Sequence, residues 1–157
     1  MYRGITKKDG LRYDITIIPS QMLGKEFVKT KGHEHLGKFG EIYIVLAGEA
    51  IYLMQKREGE SIRDVYGVRA KKGDVVVIRS GYGHVTINPS KKTLKMANWV
   101  AKNCKSSYDL FERKQGACYY FTESGWIKNR NYIKVPKLRF EKPLKKLPRN
   151  LDFLRGK

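Results

Sequence analysis

The chain has 157 residues and only three histidines. Two of them, His33 and His35, stand one residue apart in the stretch KTKGHEHLGKFGEIY, which also carries Glu41. Along a β-strand, residues i and i+2 point to the same face, so both imidazoles can meet one ion. A turn through residues 36–40 would bring Glu41, at the head of the next strand, beside them. Two imidazoles and a carboxylate suit iron, manganese, nickel or zinc. Alone the pair is a weak sign, because surface histidines of that spacing are common. The third histidine, His84, strengthens it. It lies in GDVVVIRSGYGHVTIN, where a Gly-Asp turn opens a run of small aliphatics and Gly81 and Gly83 flank Tyr82. On a strand, Thr86 and Asn88 share the face of His84. Three imidazoles and one carboxylate leave positions open for water or substrate, as in catalytic rather than structural ion sites.

These stretches resemble the two sequence motifs of cupin barrels. Gly73, Gly81, His84 and Asn88 stand at the spacing of the second motif, with Arg79 in place of its proline. His33, His35, Glu41 and Gly48 follow the first, with a slightly longer gap before Glu41. From about residue 11 to residue 135 the chain is similar to the archaeal cupin-type glucose-6-phosphate isomerases. The likeness is carried by KTKGHEHLGKFGEIYIVLAGEAIYLMQ, GYGHVTIN and SSYDLFERKQGACYYF.

That resemblance implies an all-β cupin (double-stranded β-helix, jelly-roll) barrel with one divalent metal ion. Iron(II) is the first choice, with manganese, nickel and zinc open. The implied ligands are His33, His35, Glu41 and His84, and the implied substrate is a sugar phosphate, glucose 6-phosphate first. Glu41 and Tyr43 fall on catalytic positions; Thr30, Gly32, Tyr108 and, more loosely, Thr16 fall on substrate contacts. A cytoplasmic homodimer of glycolysis and gluconeogenesis is also implied. Aldose–ketose isomerisation moves a proton, or formally a hydride, between C1 and C2, so it needs a base and a stabiliser of negative charge. Two departures fall on the substrate side: Ser106 stands where the family has histidine, and Val100 where it has tyrosine. Two other readings stay open: a different metal-dependent cupin enzyme such as a dioxygenase, and a non-enzymatic sugar-phosphate binder.

The elements that must position these residues are short and β-rich. Runs at 11–18, 25–30, 41–47, 50–55, 61–68, 75–79, 84–89, 94–101, 117–121 and 131–135 are separated by Gly, Pro and charged turns. Residues 41–47 and 50–55, split by Gly48, predict a hairpin. Residues 107–116 predict one short helix. Many short strands and few helices predict an antiparallel sandwich or barrel.

One domain is expected over residues 1–131, with a basic arm over 132–157 that carries three of the five prolines. The opening MYRGITKKDG has no apolar core of the signal-peptide kind, and no run reaches membrane-spanning length. The two cysteines, Cys104 and Cys118, lack metal-ligand spacing and are expected as buried thiols. A net charge of +18, from 33 Lys and Arg against 15 Asp and Glu, attracts anions. No nucleic-acid motif accompanies it, so a phosphorylated small molecule is the expected partner rather than nucleic acid or membrane.

Overall fold

The computed structural model describes residues 1–157. In chain order it has strands β1 (Tyr2–Lys8), β2 (Leu11–Ile18), β3 (Met22–Leu23), β4 (Glu26–Phe27), β5 (Glu34–Leu36), β6 (Glu41–Ala47), β7 (Glu49–Glu58), β8 (Ser61–Lys71), β9 (Val75–Ile78), β10 (Gly83–Ile87), β11 (Leu94–Ala101) and β12 (Lys105–Ser107). Helix α1 (Asp109–Arg113), β13 (Tyr119–Thr122), β14 (Gly125–Lys128), β15 (Arg139–Glu141) and a 3₁₀ turn (Asp152–Arg155) follow. No helix is long and apolar enough to cross a membrane.

Two sheets enclose the core. One has the order β1-β2-β11-β6-β9 and the other β10-β7-β8-β15. Smaller ribbons, β12-β5 and β14-β13-β4-β3, close the sides. This is the jelly-roll barrel that the cupin resemblance implies. Tyr43, Val45 and Met96 of the first sheet pack against Tyr52, Met54 and Tyr66 of the second. A second cluster, with Leu53, Val85, Phe111 and Cys118, lies under α1 and β13. A third, with Leu11, Ile42, Val75 and Leu154, lies under the C-terminal turn. Central strands are therefore covered on both faces, and EIYIVLA and AIYLMQ are nearly continuous apolar runs for that reason.

The predicted hairpin at Gly48 does not form. β6 pairs with β11 and β9, whereas β7 pairs with β10 and β8. Gly48 carries the chain from one sheet to the other at φ +81°, and a Cβ there would lie 2.6 Å from the Thr93 carbonyl oxygen. A tight glycine turn between apolar runs has the same sequence signature whether it closes a hairpin or crosses between sheets. One further expectation is corrected. Residues 131–135 form no strand; Tyr132 is buried instead, its hydroxyl donating to the Gly116 carbonyl. Residues 2–8, with no apolar period, form the exposed edge strand β1.

Residues 132–157 lie along the barrel. β15 joins β8 in parallel, Leu144 exchanges backbone hydrogen bonds with Val75 at 2.8 and 2.9 Å, and Leu154 is fully buried. Arg79, in the place of the motif's proline, pairs with Glu141 of this segment at 3.1 Å.

Candidate metal centre

His33 and His84 sit opposite each other on antiparallel backbone. His33 N–H donates to the His84 carbonyl at 3.2 Å, and His84 N–H to the His33 carbonyl at 3.0 Å. His35 lies on β5, opposite Ser106 of β12. Glu41 opens β6, and period-two alternation turns Glu41, Tyr43 and Val45 to the barrel interior. His33, His35, Glu41 and His84 thereby offer ligand atoms that all lie within 4.8 Å of one another.

The hydrogen bonding fits a cation at the centre of this group. His35 Nδ1 is 3.1 Å from the Phe39 carbonyl oxygen, which only accepts, so Nδ1 carries the proton and Nε2 turns inward. Asn98 Nδ2 donates to Glu41 Oε1 at 2.7 Å. Glu41 Oε2 is buried and makes no hydrogen bond, although the Nε2 atoms of His35 and His84 each lie 3.1 Å from it. Neutral imidazole nitrogens facing a carboxylate oxygen are lone pairs facing lone pairs. Such an arrangement calls for a shared proton or a metal ion.

The titration behaviour agrees. Burial pulls His35 down, but contacts with Cys104 and Glu41 outweigh it and push the imidazole up to about 10. Burial, helped by His84, pulls His33 down to about 3. Glu41 is pushed up by burial and pulled down harder by His35 and His84, so its carboxyl stays well below the usual range. Burial, and next the charge of Glu41, raise the Tyr43 phenol well above its ordinary value, which keeps it a hydrogen-bond donor.

The cleft beside the cluster is lined by Tyr43 and Tyr108, two of the expected contacts, and by Val100 and Ser106, the two departures. The Tyr43 hydroxyl is 3.4 Å from His84 Nε2, and the Tyr108 ring centroid is 5.5 Å from that of His33. Thr30, Gly32 and Thr16 are absent from the lining. Thr30 Oγ1 accepts the Thr86 N–H at 3.0 Å. Gly32, at φ +86°, lies under Phe111, whose Cδ1 would be 2.4 Å from a Cβ. Thr16 is buried on β2 across from Met96. Lys29 and Lys31, flanking Thr30, are paired with Glu26 and Glu112.

Sequence reasoning missed Asn98, Arg3, Arg12, Asp14 and Cys104, all of which line the cleft. Asn98 shares a strand face with Val100, two residues on, but only the pairing of β11 with β6 brings it to Glu41. Cys118 is fully buried, as expected of a small apolar residue, while Cys104 is only half-buried.

A family model described as glucose-6-phosphate isomerase matches residues 3–137. The chain is 34% identical over 123 residues to a protein of Pyrococcus horikoshii named glucose-6-phosphate isomerase, covering 78% of this chain and 63% of that one. A protein of the same name from Pyrococcus abyssi is 35% identical over 83 residues, covering 52% of this chain and 42% of the relative. The chain thus spans under two thirds of the length of these curated relatives. Among solved structures, Peruvianin-I, described as a cysteine peptidase from Thevetia peruviana latex, superposes with a TM-score of 0.50 at 17% identity, covering 63% of this chain and 55% of the other. At that identity the likeness is one of fold alone.

Proposed function

The chain belongs to the glucose-6-phosphate isomerase family, and on that footing we propose that it is a metal-dependent aldose–ketose isomerase of sugar phosphates, glucose 6-phosphate and fructose 6-phosphate first among them. The observation that carries this reading is the buried Glu41 Oε2, without a hydrogen bond and facing His35 and His84. His33, His35, Glu41 and His84 would hold one divalent ion, iron(II) by preference, with manganese, nickel or zinc as substitutes. A bound ion would supply Lewis-acid stabilisation of negative charge on the sugar's oxygens.

The chain's own groups account for the rest. Asn98 fixes one oxygen of Glu41 and so orients the other. Glu41, kept ionised, is the nearest base for the hydrogen that moves between C1 and C2. Tyr43, kept protonated, donates a hydrogen bond to a sugar oxygen, and Tyr108 packs against the sugar from the His33 side. A cytoplasmic homodimer serving glycolysis and gluconeogenesis completes the proposal.

A coupled assay on purified protein loaded in turn with iron, manganese, nickel and zinc tests it. Interconversion of glucose 6-phosphate and fructose 6-phosphate, abolished by a chelator, is the expected result. Absence of turnover on every hexose and pentose phosphate would sink the reading, and oxygen consumption in place of isomer formation would favour a dioxygenase.

A further inference from the structure

Positive charge gathers at the end of the barrel away from the metal centre. Lys71 ends β8, Lys72 follows it, and Lys91 and Lys92 stand in the turn before β11. The four line one cavity, which no hydrophobic residue enters. A neighbouring cavity shares Lys71 and Glu49 with it and adds Arg69. None of these five cations takes part in an ion pair. Of the two carboxylates here, Asp74 is held by Lys145 at 2.6 Å, which leaves Glu49 alone against the cluster. Like charges on adjacent turns repel, and an anion laid across them relieves that repulsion. β6 runs from Glu41 at the metal centre to Ala47 at this end, so about 20 Å separates the two.

Strand alternation joins this patch to a strip of aromatic rings. Gly67, Arg69 and Lys71 share one face of β8. The Arg69 guanidinium lies over the Phe121 ring, 5.5 Å from its centroid. Phe121 stacks on Phe27 at 5.0 Å and 22°, and meets Trp126 at 4.6 Å. Trp126 lies 6.0 Å from Phe140, whose ring covers Gly67; a Cβ there would be 2.7 Å from Phe140 Cε1. Phe140 is 48% exposed, and the other three rings are partly exposed. Phe140 lies flat on the sheet over Gly67, and so presents a ring face rather than a protruding tip. Ring faces suit the stacking of bases, whereas a bilayer takes up side chains that stand out from the surface. No motif marks this surface in the sequence, because β4, β8, β13, β14 and β15 each supply a part of it.

We propose that this face binds a single-stranded polynucleotide, its phosphates met by Lys91, Lys92 and Arg69 and its bases stacked on Phe140 and the neighbouring rings. The proposal is independent of the metal centre and of the isomerase reading. Every nucleotide carries a phosphate charge and every base has a π-face, so a basic track leading onto aromatic rings holds a strand without reading its sequence. A duplex keeps its bases stacked inside and offers this face only phosphate, which makes the single strand the better partner.

The test measures fluorescence anisotropy of a labelled oligothymidylate with wild type, Phe140→Leu and the pair Lys91→Ala/Lys92→Ala. A control of equal charge, Lys102→Ala/Lys105→Ala, lies beyond the other end of β11. Circular dichroism and sedimentation check the fold and oligomeric state of each. Wild type should bind the oligonucleotide more tightly than a duplex of the same length or polyglutamate, with affinity falling as salt rises. Lys91→Ala/Lys92→Ala should flatten the slope of log affinity against log salt by about 1.4, from two phosphate contacts at about 0.7 each. Phe140→Leu keeps Gly67 covered but removes the ring, so binding should weaken by about fivefold or more at an unchanged slope. The control pair should bind like wild type, and a metal chelator should change nothing. Absence of binding by wild type, equal binding of the duplex or of polyglutamate, or an equal loss in the control pair overturns the proposal. So does tighter binding to phosphatidylserine vesicles than to the oligonucleotide. A Phe140→Leu protein that dissociates from a second copy but keeps the oligonucleotide overturns it as well, and makes the strip a face between copies.

Discussion

Asn98 donates its amide to Glu41 Oε1 at 2.7 Å and so leaves Oε2 as the bare corner between His35 and His84. The two oxygens of one buried carboxylate have separate environments, one fixed by β11 and the other open to an ion. Partners that orient ligands typically change metal affinity by about 10–100-fold. Asn98→Ala should therefore weaken metal binding by about that factor in a competition with a chromogenic chelator. Asn98→Asp should be worse, because it sets a second carboxylate against Glu41. Equal affinity in all three proteins would remove Asn98 from the site.

Removal of a ligand tests the cluster itself. His84 is 1% exposed and meets His33 through two backbone hydrogen bonds that a substitution leaves intact. His84→Ala should retain the fold and lose most of the metal measured by elemental analysis. Loading wild type with metal should raise its thermal midpoint, since a ligand at about 100 times its Kd stabilises by about 2.7 kcal/mol. A His84→Ala protein with full metal content and the same midpoint shift contradicts the ligand assignment.

The pH dependence of the metal-free protein follows from two histidines shifted in opposite directions. His35, raised from 6.5 to about 10, adds stability that is complete below 6.5 and lost as pH rises through about 10. His33, lowered from 6.5 to about 3, adds stability present above 6.5 and lost as pH falls toward about 3. Glu41, held below its usual range, adds a further loss as pH falls below 4.5. Urea midpoints of metal-free protein should peak near 6.5 and decline on both sides. A bound ion takes the place of the His35 proton, so the decline above 6.5 should vanish on loading. A metal-free midpoint that climbs steadily from neutral to alkaline pH contradicts this.

Gly32 separates a structural role from a substrate role. Its φ of +86° disfavours any side chain, and a Cβ would collide with Phe111, itself buried beneath the second sheet. Gly32→Ala should lower unfolding stability by about 2 kcal/mol or more, from backbone strain together with overpacking. In conditions where the variant is folded, KM should stay near wild type, because Gly32 does not line the cleft. A KM defect without loss of stability would restore Gly32 as a substrate contact.

The four cluster residues were legible because ligand chemistry restricts residue types and a strand restricts spacing. Two motifs that use all three histidines leave little room for coincidence. Asn98, Asp14 and Arg3 were harder to read, because they reach the cleft through pairings with sequence-distant strands. Nothing local to Asn98 says that β11 lies beside β6. The barrel could be inferred from strand number and turn chemistry, but the switch at Gly48 could not, since strand order is set by long-range pairing. Thr30 and Gly32, neighbours of a ligand in sequence, show what the sequence leaves out: the Thr30 hydroxyl accepts from Thr86 and Gly32 lies under Phe111.

The C-terminal segment offers two modes of attachment whose magnitudes differ. Arg79 and Glu141 form an ion pair with side chains 55% and 30% exposed, a kind worth about 0–1 kcal/mol. Leu154 is wholly buried against Leu11, Ile42, Val75 and Ala101, and its truncation removes packing as well as transfer energy. Leu154→Ala should cost about 2–5 kcal/mol in urea unfolding, whereas Arg79→Ala should cost less than about 1 kcal/mol and leave metal content unchanged. Burial rather than charge then anchors this basic segment, and 1 M salt should scarcely shift the midpoint of wild type. A large loss in Arg79→Ala with a small one in Leu154→Ala would reverse that ranking and make the segment an electrostatic clasp.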